Sequence, residues 1–194
     1  MKQRPKIPAH FVPVFCDKCS APIRERLPAD DWNQYVCSEN PRHSRWVQSP
    51  PVAYAILLDE KGLTYLIRRG IPPAVGGLCF PGGYVDFGET PEETVNHEVQ
   101  DEAGIDIEAL KKLYIGSWFE VAGVTVTCFL VRIRKHSVGE FVPSHESTER
   151  VAVDFRNLDP EILAFTANRL ALQAARDYLQ KIGWWGDEPS IPRP

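Results

Sequence analysis

Glu98, Asp101 and Glu102 lie three and four residues apart in a stretch that reads as a helix. At 100° per residue their carboxylates fall within roughly 100° of arc, on the flank of an apolar stripe of Val95, Val99 and Ala103. Like charges at this spacing destabilise a helix by about 0.2–0.5 kcal/mol per pair. A hard divalent cation would neutralise them, and Mg²⁺ takes a few carboxylates together with water and substrate phosphate oxygens. The surrounding charge is extreme: between Arg69 and Lys111 there is no Lys or Arg, but there are nine acidic residues, Glu89 and Asp86 among them. Just upstream, Pro81-Gly82-Gly83 permits unusual backbone angles that bring carbonyls close to a ligand. On charge alone, the competing reading is a solvated acidic face.

A second constellation lies near the start of the chain. Cys16-x2-Cys19 is followed after seventeen residues by Cys37 and after five more by His43. Thiolates and an imidazole at such spacing suit a tetrahedral structural Zn²⁺, with His10 a weaker candidate for the fourth ligand. A segment with so little apolar periodicity also needs a staple. Cys79 and Cys128, in apolar surroundings, read as buried structural thiols.

The elements that must position these groups follow from hydrophobic pattern and punctuation. Residues 1–13 read as a Pro-rich extended arm, 14–50 as a zinc-ribbon-like segment, 51–182 as the main domain and 183–194 as an irregular tail. Pro50-Pro51 marks the change. Val52–Leu58 is predicted as a buried strand, Asp59–Gly62 as a hairpin turn and Leu63–Arg68 as the return. Cys79–Val85 is predicted as a strand broken by its Pro-Gly-Gly. Thr90-Pro91-Glu92-Glu93 predicts a capped helix start and Gly104 its stop, giving a helix over 91–103. Strands are predicted at 113–119, 124–134 and 150–155. A second helix is predicted over 170–182, with Leu170, Ala171, Ala174, Ala175, Tyr178 and Leu179 on one face. The fold class expected is α+β.

With 194 residues and 43% apolar content, the chain can bury a sizeable core around one domain plus an appendage. No apolar run approaches membrane-spanning length, and the N-terminus lacks the apolar region of a secretory signal, so the expectation is a cytoplasmic protein without a membrane partner. The net charge is −4, which does not mark a nucleic-acid binder; residues 1–50 carry +3 and residues 51–194 carry −7.

Gly83, five residues, Glu89, seven residues and then His97-Glu98-Val99-Gln100-Asp101-Glu102-Ala103-Gly104-Ile105 resembles the Nudix box, G-x5-E-x7-R-E-U-x-E-E-x-G-U with U aliphatic. Arg68-Arg69, Gly77, Phe80-Pro81-Gly82, Glu146, Arg150-Val151 and Leu163-Ala164-Phe165 fit the wider layout of that family, and the resemblance covers roughly residues 51–180. It implies an α/β/α sandwich and metal-dependent cleavage of a nucleoside diphosphate derivative such as ADP-ribose, a dinucleotide or a nucleotide sugar. It assigns Glu98 and Glu102 as main ligands of Mg²⁺ (or Mn²⁺), Asp101 as an assisting ligand and the Gly82 carbonyl as a backbone ligand. Glu146 or Glu149 stands as general base. Arg68 and Arg69 are candidates for phosphate contacts; Tyr84, Trp118 and Phe119 are candidates for stacking on a base. A homodimer is also implied. His97 stands where the family has Arg, and Asp101 where it has the first Glu of a pair. In the family that Arg pairs with the residue matching Glu89 and braces loop against helix; a neutral His offers it one ring N–H. The zinc ribbon ahead of the box resembles the NADH pyrophosphatase-like subgroup, whose SQPWPFPxS motif is absent, with Ile115–Glu120 downstream instead. The rival reading is a catalytically weakened domain serving as a nucleotide sensor or as a protein- or RNA-binding module.

Overall fold

A computed structural model describes residues 7, 9–24, 34–120 and 123–184. The arm expected over 1–13 falls partly, and the tail beyond Trp184 wholly, outside the described residues. The chain divides into two compact units, Met1–Pro50 with Val121–Gly123, and Pro51–Glu120 with Val124–Pro194.

The first unit contains a three-stranded antiparallel sheet in the order β1 (Ile23–Arg24), β2 (Gln34–Cys37), β3 (Ser44–Trp46). Two tight turns bring the thiols together. In one, Cys16 N–H donates to Ala21 O and Ser20 N–H to Cys16 O, with Ser20 at φ 59°. In the other, Cys37 N–H donates to His43 O and His43 N–H to Asn40 O.

The second unit is built on a seven-stranded mixed sheet. Its main path runs β10 (Ser147–Asp154), β5 (Leu63–Arg69), β4 (Pro51–Leu58), β9 (Thr125–Arg132), β8 (Lys112–Phe119), and only the β4–β9 pair is parallel. β4 is apolar throughout because both its faces are covered. Ala53, Ala55 and Leu57 face helix α1 (Pro91–Ala103), while Tyr54, Ile56 and Leu58 face helix α2 (Thr166–Lys181). A helix on each side of one sheet is the expected α/β/α sandwich. Among the described residues, no helix is long and apolar enough to cross a membrane.

The β4–β5 hairpin closes through Asp59, whose carboxylate accepts the amides of Lys61 and Leu63, and through Gly62 at φ 80°. The two strands then part. Leu58↔Thr64 is their paired position, and the broken strand enters between them: β6 (Leu78–Cys79) pairs with β5, and β7 (Gly82–Tyr84) pairs with β4. Phe80-Pro81 separates the two short strands, with Pro81 O still accepting the Ala55 amide of β4.

α1 begins and ends where its signals stand. Thr90 Oγ1 accepts the Glu93 amide, the Glu93 carboxylate accepts the Thr90 amide, Pro91 opens the helix and Gly104 closes it at φ 64°. α2 starts four residues earlier than predicted. Phe165 is extended at its N-cap, and the buried Glu120 carboxylate accepts the Ala167 amide in the first turn at 2.7 Å. Its buried face is Ala167, Ala171, Leu172, Ala175 and Leu179; Leu170, placed on that face by periodicity, is 45% exposed because the stripe passes one residue further round. Trp184 folds back into the α2-side core. The capping box predicts that Thr90→Ala lowers stability by about 1 kcal/mol in urea unfolding, with α1 fraying first by amide exchange.

Candidate active site

The break between β6 and β7 and the carboxylate flank of α1 are joined by one hydrogen bond. The Gly82 amide donates to Glu102 Oε2 at 2.8 Å. Both glycines here allow a close approach, and at Gly82 the backbone itself demands it. Gly82 has φ +149°, and a Cβ on it would collide with the backbone of Ala53 and Tyr54 on β4. A Cβ on Gly83 would run into the Glu98 carboxylate. The loop therefore lies directly against the two helix carboxylates.

Glu102 is 7% exposed and Glu98 partly buried. Burial pushes the Glu102 carboxyl up to about 8, the Gly82 amide and Arg69 opposing the rise and Glu98 and Glu146 adding to it. Glu98 is also raised, first by burial and then by Glu146, Asp101 and Asp86, with His97 opposing. These shifts place Glu98, Glu102, Glu146 and Arg69 in one electrostatic neighbourhood. Asp101 points to solvent. Of the three carboxylates on this flank, Glu102 is turned inward to Gly82 and Glu98 lies against Gly83.

His97 sits between two carboxylates, with Nδ1 3.3 Å from Glu89 Oε1 and Nε2 3.8 Å from Glu98 Oε1. Glu89 is also fixed by Thr94 Oγ1, which donates to it at 2.9 Å. The loop-to-helix brace thus exists with an imidazole in it. The potential ligand atoms of Asp86, Glu89 and His97 lie within 4.8 Å of one another; Asp86 falls on one of the unspecified positions between Gly83 and Glu89, so the pattern gives it no role.

The remaining candidates separate. Glu146 faces the carboxylates electrostatically, whereas Glu149 ion-pairs with Arg68 at 2.7 Å. Arg68 also donates to Gly76 O, and Arg69 donates to Pro73 O and lies over the Phe165 ring. Trp118 packs into the α2-side core, and the 61% exposed Tyr84 pairs with Val52, which faces the same side. Those two aromatics are therefore on the sheet face opposite α1. Phe119 is exposed on the edge strand β8.

Sequence reasoning missed what fixes the far end of α1. Ser147 Oγ donates to the Glu102 carbonyl at 2.8 Å, and the Arg150 guanidinium donates to the carbonyls of Ala103 and Gly139. A cation at a helix C-terminus also interacts favourably with the negative end of the helix dipole.

In the first unit, the ligand atoms of Cys16, Cys19, Cys37 and His43 lie within 4.8 Å of one another. Cys16 Sγ is 3.7 Å from His43 Nδ1 and Cys19 Sγ 3.5 Å from Cys37 Sγ. The Lys18 amide holds the Cys16 thiol below its ordinary range. The His10 ring lies tilted against Phe11, with centroids 4.4 Å apart, outside this cluster. Cys79 and Cys128 are buried, and burial raises the Cys79 thiol to about 12.

Against known proteins, the NUDIX domain description matches residues 48–191. This chain belongs to the Nudix family. Similar curated proteins are an 8-oxo-dGTP diphosphatase of Proteus vulgaris (30% identical, 46% of this chain and 81% of that one) and an ADP-ribose pyrophosphatase of Methanocaldococcus jannaschii (28%, 68% and 74%). A mitochondrial NAD(P)H pyrophosphatase of Homo sapiens is 27% identical over 61% of this chain, but only 32% of its own length is matched. In fold, a NUDIX hydrolase from Nitrosomonas europaea superposes with TM-score 0.68 at 18% identity, covering 86% of this chain and 90% of that one. The Ap4A hydrolase of C. elegans superposes with TM-score 0.57 at 19% identity, covering 67% and 98%.

The raised Glu102 carboxyl has a measurable consequence. In the metal-free folded protein it binds a proton that the unfolded chain releases near its ordinary value of 4.5. Its contribution is therefore complete at low pH and is lost as pH rises toward about 8. Thermal unfolding in EDTA should show Glu102→Gln gaining stability over the parent as pH rises through this window; a pH-independent difference would contradict the burial argument.

Proposed function

We propose that the protein is a divalent-metal-dependent Nudix pyrophosphohydrolase that cleaves the diphosphate link of a nucleoside diphosphate derivative. The observation that carries this is the buried Glu102, held by the Gly82 amide beside Glu98 with both carboxyls raised. A carboxylate pair in that state has a deficit of positive charge, and Arg69 is the cation acting on Glu102. Glu98 and Glu102 would hold Mg²⁺ or Mn²⁺, with Asp101 assisting and the Gly82 carbonyl completing the protein's donors; hard oxygen ligands of this kind fit either ion. Such an ion, when bound, polarises phosphoryl oxygens and acidifies a water.

The chain's own groups supply the rest. Glu146, beside His145, is felt electrostatically by both carboxyls and would take the proton of the attacking water, while Glu149 is committed to Arg68. His97 keeps Glu89 and Glu98 in register on loop and helix. Arg69, steadied by Pro73 O and Phe165, meets phosphate charge next to Glu102. Nucleotide derivatives are the substrates named for the three curated relatives above, and each of those substrates contains a phosphoric anhydride bond.

The segment over 14–50 acts as a structural zinc ribbon ahead of the catalytic domain over 51–182. The support is the single cluster of three sulfurs and one imidazole. Free thiols throughout the described residues suit a reducing, cytosolic setting.

Incubation with Mg²⁺ and a panel of ADP-ribose, NADH, nucleotide sugars, dinucleoside polyphosphates and 8-oxo-dGTP, read by mass spectrometry, tests the activity. The expected result is cleavage of one class at the phosphoric anhydride, with Glu102→Gln lowering turnover on the order of a hundredfold or more. Nucleotide binding without turnover would support a sensor instead. For the ribbon, elemental analysis should find one zinc per chain, absent in Cys37→Ser; a metal-free folded parent would exclude it.

A further inference from the structure

The loop Phe80-Pro81-Gly82 is gripped from the α2 side of the sheet as well as from the α1 side. Because β6 ends at Cys79 and Pro81 interrupts the ladder, the Phe80 amide has left the regular strand pairing. A buried amide without an acceptor is costly. Asn168, 3% exposed in the first turn of α2, supplies that acceptor: the Phe80 amide donates to its Oδ1 at 3.3 Å. Ala167, the residue before Asn168, accepts the Tyr54 hydroxyl at its carbonyl at 2.8 Å. Tyr54 stacks parallel to the Phe80 ring, with centroids 6.0 Å apart, and is the register partner of Gly82 on β4. Pro81 O accepts the Ala55 amide, and Gly82 N–H turns the other way, to Glu102. Three consecutive residues are thus tied in turn to α2, β4 and α1. An apolar side chain at position 168 would fill the same space. An amide there serves the backbone of the loop.

We infer that Asn168 is a positioning residue for the metal-binding loop, acting through Phe80 to set where Gly82 stands against Glu102. This rests on the reading of Glu98, Glu102 and Gly82 as the divalent-ion site, but it concerns a residue on the other side of the sheet with no access to substrate. Its effect should therefore show in the metal affinity and in the order of the loop.

The full chain is titrated with Mn²⁺ and free ion is read by electron paramagnetic resonance, alongside amide exchange of the segment 78–85. Asn168→Ala should weaken Mn²⁺ binding on the order of tenfold and speed exchange in that segment. Leu179→Ala, a buried truncation near the far end of the same helix, should lower thermal stability while leaving both readings at the parent value. Asn168→Asp keeps an oxygen acceptor in place and should recover most of the affinity. Should the alanine variant not fold, Asn168→Ser, whose hydroxyl falls short of the loop, takes its place. Equal shifts in the Asn168→Ala and Leu179→Ala proteins, or an aspartate variant no better than alanine, would overturn the inference. A parent that binds Mn²⁺ but cleaves no member of the nucleotide panel would remove the proposed activity and leave Asn168's role standing. A parent that binds no Mn²⁺ would overturn both.

Discussion

Desolvation of one carboxylate organises the catalytic unit. Glu102 lies under the edge of α1, where its charge is expensive, and one backbone amide answers it directly. That amide is available only because the ladder between β4 and β5 has been opened and refilled by a strand with a break in it. The glycines at 82 and 83 follow from the same constraint, since any side chain would displace either the central strand or Glu98. So does the termination of α1 by Ser147 and Arg150, which fixes the turn carrying Glu102 against β10. Loop, helix and outer strand converge on a group that is unfavourable by itself.

The electrostatics have a matching logic. Glu146 raises both Glu98 and Glu102, and Glu98 adds to the rise at Glu102, while Arg69 opposes it at Glu102 and His97 opposes it at Glu98. Arg68, next in the chain to Arg69, is drawn off by Glu149 on the paired strand. Alternation along β5 and β10 thus separates an arginine that serves the carboxylate centre from one that ties two strands together. In place of the family's arginine, His97 still reaches Glu89, so the brace survives with a smaller and titratable group.

Much of this was legible in the sequence because the signals were local. The capping box, Pro91 and Gly104 bounded α1, and Asp59-Glu60-Lys61-Gly62 located the hairpin. The uniformly apolar β4 announced a strand covered on both faces. What escaped was set by tertiary context. The start of α2 was hidden because its first turn is capped by Glu120, forty-seven residues away in the chain. Leu170 satisfied the periodicity and yet faces outward. Candidate residues read from a motif were harder still: spacing places Glu98, Asp101 and Glu102 on one flank, but burial turns only two of them toward the loop. Trp118 and Tyr84, candidates for stacking on a base, lie by strand alternation on the face opposite α1. Glu146 and Glu149 could not be separated by position, because only the register with β5 gives Glu149 to Arg68.

The parallel pairing of β4 with β9 carries a further consequence. Its register runs unbroken from Pro51↔Thr125 to Leu58↔Arg132. The hairpin, the broken strand, α1 and β8 all lie in the chain between these two partners. Glu89, His97, Glu98, Asp101 and Glu102 therefore sit inside a covalent loop whose ends are joined at the middle of the sheet. The entropy of closing such a loop grows only logarithmically with its length, about 0.6 kcal/mol for each doubling. Residues added to its surface turns, such as the one between Gly70 and Gly77, are thermodynamically cheap, whereas a shift of the strands that close it would move every carboxylate at once. Such turns can lengthen while the placement of the carboxylates stays as the sheet sets it.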